Sequence, residues 1–166
     1  RRDGSIFPVA SLLDRIGEID SNPSEYNDVY VGNLVMNSSG NIDFTPSSKT
    51  PIRDFPHKDN KQEGCIEIFK LPEKDSSGKV FNGRYIAGCD PYDDDAADTM
   101  SLGSIFILDL WTDKIVAEYT GRPTFADDFY EKCRLLCLFY NARLNYESNK
   151  KGLFAYFSKM NCLYLL

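Results

Sequence analysis

Between Val9 and Ile19 the apolar residues Leu12, Leu13, Ile16 and Ile19 recur at helical spacing, and Ser21-Asn22-Pro23-Ser24 then breaks the pattern. That predicts a short amphipathic helix. Residues 29–46 read as two strands, VYVGNLVM and NIDFT, separated by the turn Asn37-Ser38-Ser39-Gly40. Residues 47–63 are polar and contain Pro, hence a surface loop. Gly64 to Leu71 alternates and predicts a half-exposed strand. Residues 72–83, centred on Asp75-Ser76-Ser77-Gly78, form another loop.

From Arg84 the texture changes. Tyr85 to Cys89 is a short apolar run with small residues, suited to a central strand packed closely on both faces, and it ends on Asp90-Pro91. An acidic loop follows, then the nearly continuous apolar strand Leu102 to Trp111. Thr112-Asp113 predicts a tight turn into the strand Lys114 to Thr120, so that these two strands form a hairpin. After Pro123, Thr124 and Asp127 resemble a capping box, and Phe125, Phe129, Cys133, Leu136 and Tyr140 line one face of a helix. Asn141 to Glu147 reads as a strand, Asn149 to Met160 as a second helix, and Cys162 to Leu166 as a terminal strand. The order is β-ββ-α-β-α-β, an α/β arrangement with a β-rich segment before it.

Composition narrows the chemistry. The 166 residues are 42% hydrophobic, enough for a core and against wholesale disorder. A net charge of -6 argues against a small basic module that coats nucleic acid by charge alone. One His, His57, removes His-rich metal sites and leaves any Ser-His-Asp triad dependent on that residue, which falls in a loop. Five Cys (65, 89, 133, 137, 162) form no CxxC pair and suggest reduced, mostly buried thiols of a cytosolic protein. No apolar run approaches the ~18 residues of a membrane span. The chain opens without Met and closes on an apolar run, from which we expect a piece of a longer protein.

Candidate chemistry centres on Asp90, at the carboxyl end of a strand and followed by Pro91-Tyr92-Asp93-Asp94-Asp95 and Asp98. Functional groups gather at strand carboxyl ends in open α/β sheets, and a carboxylate held there can bind a hard divalent cation. Pro91 would turn the loop away and leave the Asp90 side chain facing solvent; an Asp before Pro also simply starts turns. Glu147 ends a later strand, and if the two strands are neighbours the carboxylates meet at one sheet edge. A cation between them relieves their repulsion, as in two-metal phosphoryl transfer; Glu147 equally suits a strand-to-helix turn. Weaker features are Ser77-Gly78-Lys79, which lacks the full phosphate-loop pattern, and Cys133 with Cys137, four apart on an apolar helix face. Trp111 reads as a hairpin anchor. Arg143, Lys150, Lys151 and Lys159 make a local basic stretch that is either phosphate-facing or only solvated.

Taken together, YIAGCDPYDDD (85–95), SLGSIFILDLWTDKIVAEYTGRP (101–123) and FYNARLNYESNKKGLFAYF (139–157) resemble the ribonuclease-H-like C-terminal nuclease domain of large terminase subunits of tailed phages. The likeness covers residues 64–166; residues 1–63 are similar to the lead-in that joins such a nuclease to its ATPase. It implies a mixed sheet with helices on its faces. It also implies a host-cytoplasmic, Mg²⁺- or Mn²⁺-dependent endonuclease that cuts concatemeric double-stranded DNA during genome packaging. The ATPase in cis, the portal and the small terminase subunit would be its partners, with no membrane. Asp90 matches the first metal ligand and Glu147 the second carboxylate. The family's third acidic ligand lies on a later helix, and nothing after Glu147 here is acidic; Asp94 or Asp95 is a possible accessory ligand. The alternatives are another ribonuclease-H-like nuclease of resolvase or transposase type, which would demand a basic DNA-binding appendage, or a non-catalytic assembly module of the packaging motor.

Overall fold

A computed structural model describes residues 8–22, 29–52, 62–92 and 101–166. His57 and the acidic Asp93, Asp94, Asp95 and Asp98 lie outside the described residues. The β-forming runs become β1 (Tyr30–Met36), β2 (Ile42–Pro46), β3 (Ile66–Ile68), β4 (Tyr85–Asp90), β5 (Gly103–Asp109), β6 (Lys114–Gly121) and β7 (Arg143–Tyr146). The helical runs become α1 (Val9–Ser21), α2 (Ala126–Tyr140) and α3 (Lys151–Lys159). All seven strands share one sheet in the order β2-β1-β3-β6-β5-β4-β7. Only β4 and β7 pair in parallel; the other neighbours are antiparallel. This is a mixed α/β fold, in which the strands from 30–46 and those from 66 onward are hydrogen-bonded into a single sheet.

The core lies between this sheet and α2. Ile105 and Ile107 of β5 and Ala117 and Tyr119 of β6 face it, against Phe129, Cys133, Leu136 and Tyr140 at helical spacing on α2. Each large apolar side chain buried this completely contributes about 1.5–3 kcal/mol. Asn141 caps α2 in the left-handed conformation (φ 50°), and the Ala142 N–H donates to the Cys137 carbonyl at 2.8 Å. That closure satisfies a helix-end carbonyl and turns the chain straight into β7. On α3, Leu153 and Phe157 are buried four residues apart, and the helix packs beside α2.

Several local expectations change. The residues Cys162–Leu166 form no strand; Leu163–Leu165 is a 3-10 turn that tucks Leu165 into the core. β3 is three residues long and buried throughout, because it lies between β1 and β6 instead of at an edge. The β4 strand is packed on one face only. Tyr85 and Ala87 are buried while Ile86, Gly88 and Asp90 are exposed, and a methyl group added at Gly88 would meet nothing within 4 Å. No capping box starts α2: Phe125 is its N-cap without a side-chain bond, and the Phe125 ring is exposed, off the buried face. Asp127 and Asp128 in the first turn instead complement the helix dipole. The expected hairpin forms, through a turn at Leu110–Asp113 in which Asp113 takes φ 55°. Helices on both faces were expected, yet α2 and α3 make one layer. Among the described residues the opposite face stays open, exposing Ile86, Phe106 and Ile115.

Candidate metal site at the strand ends

Asp90 and Glu147 are brought together by register. Parallel pairing matches Ile86 with Arg143, Ala87 with Leu144, Gly88 with Asn145 and Cys89 with Tyr146. Asp90 and Glu147 are the next residue along each chain, at the carboxyl ends of strands spaced about 4.8 Å apart. Side chains alternate along a strand, so Ala87 and Cys89 point to α2 and Asp90 points to the open face. Both acidic residues are exposed, and among the described residues neither has an ion-pair partner.

What fixes Asp90 lies just beyond it. Pro91 and Tyr92, the two residues after the strand, are buried. The Tyr92 ring packs on Phe129 with centroids 5.2 Å apart, the Arg122 guanidinium lies 4.4 Å over it, and the Tyr130 hydroxyl donates to the Tyr92 carbonyl at 2.6 Å. Sequence spacing gave no sign of this anchor, because an aromatic two residues after the acid sits opposite a ring that only the fold supplies; the course of the acidic loop itself lies outside the described residues. Asp90 itself remains exposed, as expected.

Two hydroxyls were also missed. Asp90 pairs across the sheet with Ser104, and Ser104 pairs with Thr120, their hydroxyl oxygens 2.8 Å apart. The row Thr120, Ser104, Asp90 crosses three strands at the same end of the sheet. Nothing in sequence spacing aligns three such distant positions. Only the antiparallel register does so.

A second polar feature sits at the other end of β4. Arg84, just before the strand, donates from Nε and Nη2 to the two oxygens of Asp109, at 3.0 and 2.7 Å, in a buried pair. The hydrogen bonds from Arg84, joined by the Trp111 N–H, hold the Asp109 carboxyl below its ordinary range. Trp111 is exposed and lies in the turn, its ring tilted against Phe81 and 4.5 Å from the Arg84 guanidinium, so it does anchor the hairpin end.

The remaining candidates have structural tasks. The amides of Ser77 and Lys79 both donate to the Asp75 carboxylate, so Ser77-Gly78-Lys79 has those donors already engaged in its own turn. Cys133 and Cys137 are fully buried, and desolvation pushes both thiols up, so neither is a nucleophile toward a substrate from solvent. The basic stretch is divided: Arg143 lies on β7, Lys150 and Lys151 start α3, and Lys159, at the far end, pairs with Asp127 at 3.5 Å.

Two exposed acidic residues at neighbouring strand ends offer oxygen donors of the kind a hard divalent cation takes, with water completing its shell. Among the described residues no group of three or more His, Cys, Asp or Glu side chains is gathered as a ligand set. The pair therefore fits part of a coordination sphere. Asp94 and Asp95, the possible accessory ligands, are outside the described residues. Compared with known proteins, the chain matches no family model, no curated protein and no solved structure.

Proposed function

We propose that this chain is part of a metal-dependent endonuclease of the terminase large-subunit type, with Asp90 and Glu147 as the residues that hold Mg²⁺ or Mn²⁺. The observation that supports the reading is the parallel β4–β7 register, which brings Asp90 and Glu147 to the carboxyl ends of neighbouring strands. The three quoted sequence blocks support it independently. A bound divalent ion would supply the positive charge that this acidic chain lacks, neutralising a DNA phosphate and lowering the pKa of the attacking water. Asp90 contributes a carboxylate whose backbone is anchored by Tyr92, and Glu147 contributes the second from the adjoining strand end. In the whole protein the substrate would be concatemeric double-stranded DNA in the host cytoplasm. The ATPase in cis, the portal and the small terminase subunit would be the partners.

Calorimetric titration with Mn²⁺ tests the reading. Weak binding by the 166-residue chain is expected, because two carboxylates attract less strongly than three, and Asp90→Asn should abolish it. Equal heats from both proteins would reject the site. The exposed Ile86, Phe106 and Ile115 on the same face favour a second reading, an assembly module of the packaging motor. Failure to bind Mn²⁺ together with self-association that Phe106→Glu removes would favour the module.

A further inference from the structure

We propose that Cys89 and Cys133 are a redox-active thiol pair that closes to a reversible disulfide, tying the end of β4 to α2. Their sulfur atoms are 3.8 Å apart, in contact across the interface between sheet and helix. A disulfide needs about 2.0 Å between sulfurs, so closure requires the two side chains to rotate toward each other. Cys65 donates to the Lys49 carbonyl and Cys162 to the Phe157 carbonyl.

Access decides which sulfur reacts first. Cys89 is partly exposed, whereas Cys65, Cys133, Cys137 and Cys162 are all buried. A low-molecular-weight disulfide such as glutathione disulfide therefore meets Cys89. The Cys89 sulfur bonds to one glutathione sulfur, the reagent's S–S bond breaks, and the other half leaves as a thiol with the proton from Cys89. The Cys133 sulfur then attacks the Cys89 sulfur, and the second glutathione leaves as a thiol with the Cys133 proton. Two cysteine thiols lose two hydrogens in all, and one glutathione disulfide becomes two glutathiones. Burial keeps Cys133 protonated, so the second step is the slow one, on the minutes-to-hours scale of uncatalysed exchange. The crosslink sits one residue before Asp90, but its chemistry does not depend on the nuclease reading.

The test incubates the native 166-residue chain with glutathione disulfide, quenches with N-ethylmaleimide under denaturing conditions, and maps peptides by mass spectrometry. The expected product has lost two hydrogens, takes up maleimide at three of its five cysteines, and yields one crosslinked peptide joining Cys89 to Cys133 that dithiothreitol releases. Cys89→Ser should abolish it and Cys137→Ala should leave it intact. Persistence of glutathione on Cys89 without closure overturns the proposal. So does no reaction, or a crosslink from Cys89 to Cys137 or to a second chain. Because replacing the buried Cys133 could disturb folding, the wild-type peptide map decides by itself.

Discussion

Two glycines at opposite faces of neighbouring strands show how much a single side chain can weigh. A methyl group on Gly103 would lie 2.5 Å from two atoms of the Phe129 ring and 3.0 Å from Tyr92, where the aromatic cluster over β5 is tightest. Gly103→Ala should therefore destabilise by about 1–3 kcal/mol, as overpacked cores do. Gly88→Ala, in open space on the other face, should be neutral or slightly stabilising, since glycine weakens a strand interior. Urea denaturation of the two variants checks the contrast; a loss of similar size in both would mean that the faces are assigned wrongly. Asp109 adds a pH signature. Its carboxyl is held below its unfolded value by Arg84, so the stabilisation is fully present above the unfolded carboxylate pKa. It is lost as pH falls through the lower, folded one. Asp109→Asn should lower the melting temperature at neutral pH and narrow its gap from wild type as pH drops below about 4. A gap that is constant with pH, followed by calorimetry, would exclude the ion pair as the cause.

At the scale of elements, α1 and α2 are near equals in length and opposites in support. α2 buries nine of its residues, α1 none. A 13-residue helix with no buried residue is marginal in water on its own, because nucleation costs more than so few hydrogen bonds return. Hydrogen exchange should find the α1 amides orders of magnitude less protected than those around Cys133 and Leu136. Protection of α1 equal to that of α2 would mean that its apolar stripe is covered in solution. The periodicity of Leu12, Leu13, Ile16 and Ile19 was legible because helical spacing is a local property. What covers that stripe is not local, and spacing is silent on it. The same division explains the terminal segment. Cys162–Leu166 has the composition of a strand, but it lies against α3 and the edge strand β7 without pairing with that strand. It curls into a 3-10 turn and buries Leu165 instead.

For the molecule as a whole, the proposed chemistry depends on a site with more than two carboxylates. With Asp90 and Glu147 alone, a second cation would be misplaced, and errors of about an ångström can cost roughly a hundredfold in rate. The 166-residue chain should therefore show little or no nicking of supercoiled plasmid DNA in Mn²⁺, read on an agarose gel. A longer chain carrying a further acidic residue on a later helix should nick it, and Asp90→Asn should stop that. Robust Asp90-dependent nicking by the 166 residues themselves would refute the argument from the incomplete ligand set.

Sequence alone determined the α/β character, the β5–β6 hairpin, the buried face of α2 and the candidacy of Asp90 and Glu147, because periodicity, turn residues and strand-end acids are written within a few positions of one another. Tertiary structure alone decided that β4 and β7 pair in parallel, that β3 lies between β1 and β6, and that Tyr92 anchors the backbone behind Asp90. It also decided that Arg84 meets Asp109, that Ser104 and Thr120 fall in line with Asp90, and that Cys89 touches Cys133. Each of these joins residues far apart along the chain. Their meeting depends on the register and layering that minimise the apolar area left in water, and no short stretch of sequence contains that information.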